Sequence, residues 1–189
     1  MSALHHTLCL HGLHWAVRQR WATSASVEVT LRRPRWWWLE YVESSEAKRR
    51  PPVQAPRADV AAVGDDRIAL IEAKVTRGDL LADLRAGKMM RHYGWATHCY
   101  LLLGGEVVDT PLAELAALGL PGTWGVLRCG EAEPPEVVSP YHLVRSVRTA
   151  RRLRELRPDD AGAVQRAIGR SAAWRILRAA VAELEAHHG

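Results

Sequence analysis

Two carboxylates and one amine stand out by their spacing. Residues 56–75 read PRADVAAVGDDRIALIEAKV, with Asp59 before a Gly64-Asp65-Asp66 turn signal and Glu72 and Lys74 after it. The flanking runs are short and apolar, which predicts a hairpin of two strands at 59–63 and 67–74. Strand side chains repeat with a period of two, so Glu72 and Lys74 share one face and Ala73 takes the other. A turn centred between Asp65 and Asp66 sets Asp59 opposite Glu72, and facing residues have Cβ atoms only about 4.5–5.5 Å apart. Carboxylates that close repel unless one is protonated or a cation lies between them. A hard divalent ion is the usual solution: Mg²⁺, with Mn²⁺ as the substitute. Lys74 beside such an ion could orient or deprotonate a water while the ion offsets charge on a phosphoryl oxygen, which is the chemistry of phosphodiester hydrolysis. The competing reading is a surface ion network on an exposed strand face. Against it, Val60, Ile68, Leu70, Ile71 and Val75 make both strands apolar enough to be central, where unpaired charge is costly.

The elements that must position these residues follow from local pattern. Leu10, Leu13, Val17 and Trp21 recur at helical spacing and predict an opening helix over 3–21. SVEVTL (26–31) alternates as a half-buried strand should, and RWWWLEYV (35–42) predicts a second strand, the two forming a hairpin. The polar, basic and proline-rich stretch 44–57 reads as a surface loop. Thr76 and Asp79 resemble a capping box and open a helix over 77–93. HCYLLL (98–103) reads as a buried strand closed by Gly104-Gly105, and strand, helix, strand in that order favours a mixed sheet. A short helix is expected at 112–118, an edge hairpin at 125–129 and 136–138, and helices at 141–157 and 171–186. The fold class is therefore α/β, a mixed sheet flanked by helices, with a core over 1–140 and a C-terminal helical extension over 141–189.

Composition narrows the function classes. At 189 residues, with 48% hydrophobic and 25% charged residues, the chain has ordinary globular usage, which excludes a disordered, collagen-like or disulfide-dense protein. Cys9, Cys99 and Cys129 form no CxxC pair, so neither a disulfide framework nor a zinc ribbon is supported, and Cys99 in its apolar strand reads as packing. No apolar run approaches the roughly 18 residues that span a bilayer, and histidines interrupt the N-terminal stretch where a signal peptide is apolar. A soluble cytoplasmic protein without a membrane partner is expected, with a homodimer left open. The net charge of +5 and pI near 9.5 suggest a polyanionic partner. Six arginines against Glu155 alone concentrate that charge in 141–157, and Arg145, Arg148 and Arg152 at i, i+3 and i+7 would line one face of a helix there. Trp36, Trp37 and Trp38 beside Arg32, Arg33 and Arg35 suit base stacking and phosphate neutralisation, although at least one should be core. His5, His6, His11 and His14 invite a zinc reading, but no matching cysteine or carboxylate set accompanies them in the sequence, so they read as surface residues.

Asp59 followed by Glu72-Ala73-Lys74 resembles the PD-(D/E)xK nuclease superfamily, whose signature is an Asp on one strand and E-x-K on the next. The longer stretch RADVAAVGDDRIALIEAKVTRGDLLADLRAGKMMRHYGWATHCYLLL is similar to the MmcB-type DNA-repair nuclease group and its phage relatives, with Asp79, Asp83, Lys88 and Tyr93 at matching places. SVEVTL resembles that group's first strand and makes Glu28 an additional acidic residue; LPGTWGVLRC is similar to its late strand. Two departures accompany the likeness: residues 32–55 interpose between the Glu28 and Asp59 strands, and Met89 stands where the group has an aromatic beside its Lys. The resemblance covers roughly residues 10–155. It implies a restriction-endonuclease-like sheet, DNA as substrate, and catalysis by Asp59, Glu72, Lys74 and Glu28. Asp59, Glu72 and Ala73 would hold Mg²⁺ or Mn²⁺, and Arg57, Lys88, Tyr93, Arg145, Arg148 and Arg152 would contact nucleic acid. The rival expectation is a catalytically silent nucleic-acid-binding module on the same scaffold.

Overall fold

The computed structural model describes residues 2–31, 57–85, 94–130 and 144–188. The predicted strands at 35–42 and 136–138, the Trp36 to Trp38 run and the second half of the predicted 77–93 helix lie outside them.

Among the described residues, six strands form one mixed sheet in the order β1 (Ser24–Thr30), β2 (Arg57–Val63), β3 (Ile68–Lys74), β4 (His98–Leu103), β5 (Gly125–Cys129) and β6 (Val144–Arg148). β1, β2 and β3 pair antiparallel, β3, β4 and β5 parallel, and β5 and β6 antiparallel. All seven residues of β3 are buried, which fits its central place and leaves Glu72 and Lys74 as the charges it must accommodate. Between β3 and β4 runs α2 (Arg77–Arg85); the Thr76 hydroxyl accepts the Asp79 N–H at 3.3 Å, the expected cap.

The opening helix α1 (Ala3–Arg18) begins where the Ser2 hydroxyl accepts the His5 N–H at 3.2 Å. It buries Leu8, Cys9, Gly12 and Ala16 on a core with Val27, Val60, Ile71, Tyr100 and Leu102. Gly12 allows that approach, because a Cβ there would lie 2.9 Å from Leu102 Cδ2. The opposite face carries a second core, in which α2, α3 (Leu112–Ala117) and α4 (Pro158–His188) cover Val29, Leu70, Leu101 and Val126. Helices thus flank both faces of the sheet, and each face buries its own apolar set. Among the described residues, no helix is long and apolar enough to cross a membrane.

The helix expected over 141–157 is not formed. Residues 144–148 are the sixth strand, because β5 offers an open edge to which they pair antiparallel, with a register irregularity at Val147, and β-branched Val144 and Val147 suit a strand. Residues 149–157 are irregular and fixed by main-chain bonds, Arg151 N–H to Thr123 O at 2.9 Å and Leu153 N–H to Thr97 O at 2.8 Å. The last helix starts at Pro158 rather than Ser171, with a proline in the first turn where its missing N–H costs nothing. Its Val164, Ala167 and Ile168 belong to the second core, so the C-terminal segment is built onto the sheet by both a strand and a helix.

Candidate functional site

The β2–β3 hairpin has the expected register, from Val63↔Ile68 to Val60↔Ile71. Beyond that point Asp59 turns its carboxylate onto its neighbours. Its Oδ2 accepts the Ala73 N–H at 2.9 Å, and its Oδ1 lies 3.4 Å from Nε2 of His5 on α1. Lys74 reaches the other way, toward α2, where its Nζ pairs with Asp83 Oδ2 and lies 3.3 Å from Asp79 Oδ2. Asp59, Glu72 and Lys74 are 7%, 3% and 2% exposed, so the three signature residues sit inside the molecule.

A change of phase in two strands aims the acidic groups. Val60 and Ala62 pack under α1 and Ala61 and Val63 on the opposite side, as alternation requires, yet Ala58 joins the latter set. In β1, likewise, Val27 packs under α1 and Val29 on the opposite side. Glu28 between them has φ 54°. Because Val27 pairs with Val60 and Val29 with Ala58, Glu28 stands across from Asp59, and both strands shift at one rung. A left-handed backbone at a non-glycine residue costs on the order of 1–3 kcal/mol and persists only where surrounding structure enforces it. Here α4 enforces it. The Ser171 hydroxyl donates to Val27 O at 3.1 Å and Glu28 O at 3.3 Å, and Arg175 donates to Val27 O and to the Ser26 hydroxyl.

The charge balance follows from these partners. Burial pushes Asp59 up, but the hydrogen bonds from His5 and from the Ala73 N–H outweigh it and hold the carboxyl below its ordinary pKa. His5 is held above its usual value, because the hydrogen bond to Asp59 outweighs its burial. For Lys74, burial pulls downward and is overcome by the Asp83 hydrogen bond and the charges of Glu72, Asp83 and Asp79, so the amine stays protonated. The Cys9 thiol is pushed up to about 12, first by burial and then by the negative charge of Asp59, Glu28 and Glu72. Asp59 meets α1 through His5, whereas Glu72 alternates with Ile71 and Ala73 of the α1-side core and so shares the face of Lys74, toward α2.

The sequence reading missed what α1 adds. One donor atom each from His5, Cys9 and Asp59 lies within 4.8 Å of the others, a group able to hold a metal ion. His5 thus does have a matching cysteine and carboxylate, contrary to the surface assignment. The local signal was present: His5 and Cys9 are four apart, hence neighbours on one helix face. The third ligand, Asp59, comes from β2, far along the chain from α1. Cys99 is buried core, as expected.

The expected nucleic-acid contacts are dispersed. Arg57 opens β2, exposed, with its guanidinium 3.8 Å from Glu28 Oε1. Arg145, Arg148 and Arg152 form no helical stripe, since the first two lie on β6 and the third in the irregular segment after it. Arg148 is a structural clamp: its Nε donates to Trp124 O at 2.8 Å and its Nη2 to Pro121 O at 3.2 Å. Arg152 pairs with Glu155 at 2.9 Å and with Asp66 at 3.3 Å. Lys88 and Tyr93 lie outside the described residues.

No protein-family model matches the chain, and no curated protein matches it. The arrangement of the residues themselves must carry the functional reading.

Proposed function

We propose that the protein is a divalent-metal-dependent nuclease that hydrolyses phosphodiester bonds of DNA, on a restriction-endonuclease-like sheet. The observation that carries this reading is the buried Asp59 standing across from Glu28, whose backbone is strained, with Glu72 and Lys74 buried on the next strand of the hairpin. Buried carboxylates and strained backbone are costly to keep, and together they mark functional sites. The donors suit Mg²⁺ or Mn²⁺, because carboxylates and main-chain oxygen are hard ligands. Asp59, Glu72 and the main chain of Ala73 would hold the ion, with Glu28 at its margin. When bound, such an ion supplies Lewis acidity toward a phosphoryl oxygen and a more acidic water. Lys74 is kept protonated by Asp83, so it contributes positive charge and a donor that orients the attacking water, and it does not act as the base. Water would attack phosphorus as one ester P–O bond breaks, the proton lost by the attacking water passing to solvent and the departing sugar oxygen taking one from solvent. Arg57 at the head of β2 is the exposed cation on the same strand as Asp59 and is suited to a flanking phosphate.

The second reading is a catalytically silent nucleic-acid-binding module. It is favoured by the near-complete burial of Asp59, Glu72 and Lys74 and by the pairing of Lys74 with Asp83. One experiment separates the two: incubation with linear, nicked and single-stranded DNA in Mg²⁺, Mn²⁺ or EDTA. The nuclease reading expects cleavage with either metal and none in EDTA, and its loss in Asp59→Ala, Glu72→Ala and Lys74→Ala with the fold retained. Undiminished cleavage in any of the three variants overturns the assignment. DNA binding without cleavage under every metal condition selects the silent module.

A further inference from the structure

We infer that His5, Cys9 and Asp59 form a binding site for a thiophilic d-block dication, with Zn²⁺ the expected occupant. The donor set is one imidazole nitrogen, one thiol sulfur and one carboxylate oxygen, a combination that suits Zn²⁺ and its transition-metal neighbours and disfavours Mg²⁺ and Ca²⁺, which take oxygen. Tetrahedral Zn²⁺ with N and O ligands at about 2.0–2.2 Å sets those ligands roughly 3.3–3.6 Å apart. His5 Nε2 and Asp59 Oδ1 already lie 3.4 Å apart. Cys9 completes the group within 4.8 Å, so about 1 Å of side-chain adjustment brings its sulfur into the shell.

The site is supported from outside as well. The Ala73 N–H holds the other Asp59 oxygen at 2.9 Å and fixes the carboxylate's orientation, the role that outer partners play for metal ligands. The first turn of α1 is fixed by the Ser2 cap on His5, and Cys9 is fully buried against the sheet. Three protein ligands leave a fourth position for water or an incoming group, the pattern of exchangeable rather than purely structural zinc.

Zinc binding does not depend on the nuclease reading. One consequence does: Asp59 belongs to both sites, so Zn²⁺ held by His5 and Cys9 takes a carboxylate from the Mg²⁺ centre and inhibits cleavage.

The test is titration of the full chain with Co²⁺, followed by competition with Zn²⁺. The expected result is a cobalt–thiolate charge-transfer absorption at one equivalent, bleached by stoichiometric Zn²⁺. Cys9→Ser should abolish that band. His5→Gln, a milder change at a partly exposed position, should weaken Zn²⁺ binding beyond the roughly 10–100-fold cost of losing an outer-shell partner. Cys129→Ser and His6→Gln should leave both unchanged. A thiolate band that survives in Cys9→Ser, or equal Zn²⁺ affinity in wild type and His5→Gln, overturns the site. If the band appears and no DNA is cleaved under any condition, the metal site stands and the nuclease reading falls. If cleavage occurs and no thiolate band forms, the reverse holds.

Discussion

Removing the partner that holds Lys74 should cost far more stability than its position near a helix surface suggests. The Lys74 side chain is 2% exposed and that of Asp83 11%, whereas Asp79, the other carboxylate on the same amine, is 44% exposed. Breaking a buried pair leaves an uncompensated charge and costs about 3–5 kcal/mol. Asp79 remains 3.3 Å away to share the load, so Asp83→Asn should fall near the lower end, about 3 kcal/mol. Asp79→Asn removes the solvent-screened partner and should cost about 0–1 kcal/mol. For a chain of this size 1 kcal/mol moves the midpoint by roughly 2–4 °C, so the first variant should melt about 6–12 °C lower and the second within about 4 °C of wild type. Urea unfolding and thermal melts of the four-member set, wild type, both single variants and Lys74→Met/Asp83→Leu, check the reasoning. The double variant, which replaces both charges with apolar groups, should be more stable than Asp83→Asn yet stay below wild type, because buried Glu72 loses the Lys74 charge. The pH dependence has a definite sign. The folded pKa of Lys74 lies above its ordinary 10.5, so its contribution is complete below that value and lost as pH rises through the folded pKa. The gap between wild type and Asp83→Asn should therefore narrow at strongly alkaline pH. If Asp83→Asn costs no more than Asp79→Asn, Lys74 is not held as an internal ammonium and its assignment as a charge-stabilising group fails.

Three other measurements probe neighbouring features. Glu28→Gly relieves a left-handed backbone at φ 54° and should stabilise the fold by about 1 kcal/mol while lowering metal-dependent cleavage; a loss of stability in urea would show that the backbone is not strained. His5 should titrate in NMR above its ordinary 6.5 and return toward it in Asp59→Asn. Its contribution to stability is present below 6.5 and fades as pH rises through the folded value, so an unshifted His5 resonance in the variant would break the His5–Asp59 pairing. Arg148→Gln removes two bonds from a guanidinium to the Trp124 and Pro121 carbonyls and should cost about 2–3 kcal/mol with little change in the salt dependence of DNA binding. Full stability together with a flattened salt slope would return Arg148 to the nucleic-acid interface.

The parts of the fold legible in the sequence are those whose stabilisation is local. The Gly64-Asp65-Asp66 turn, the Thr76 cap and the apolar run HCYLLL each carry their own signal within ten residues, and β2, β3, α2 and β4 follow them. The segment 141–157 misled because its arginines suit a helix in isolation. Its conformation is set by an edge that β5 presents from elsewhere in the chain, and by the carbonyls of Pro121 and Trp124 that capture Arg148. Local propensity is a weak prior against such pairing.

The same distinction divides the acidic site. Glu72 and Lys74 could be placed on one strand by counting, since a period of two needs no knowledge of what lies above the sheet. Asp59 could be placed opposite them by register, yet its orientation could not. Strict alternation fails at the rung it shares with Glu28, and only the positive φ of Glu28, braced by Ser171 and Arg175 from the last helix, shows that both strands shift together. His5 and Cys9 were four residues apart in plain view, and the spacing alone argued nothing, because many helices carry a histidine and a cysteine on one face. What gives that pair chemical meaning is a carboxylate whose second oxygen is already fixed by the Ala73 N–H, leaving the first free to turn toward α1. Asp59 thus links the hairpin that sequence could read to the helix whose role it could not. A change at Asp59 should therefore disturb metal binding of both hard and soft type, whereas Glu72→Gln should spare the cobalt–thiolate signal and Cys9→Ser should spare Mg²⁺-dependent cleavage.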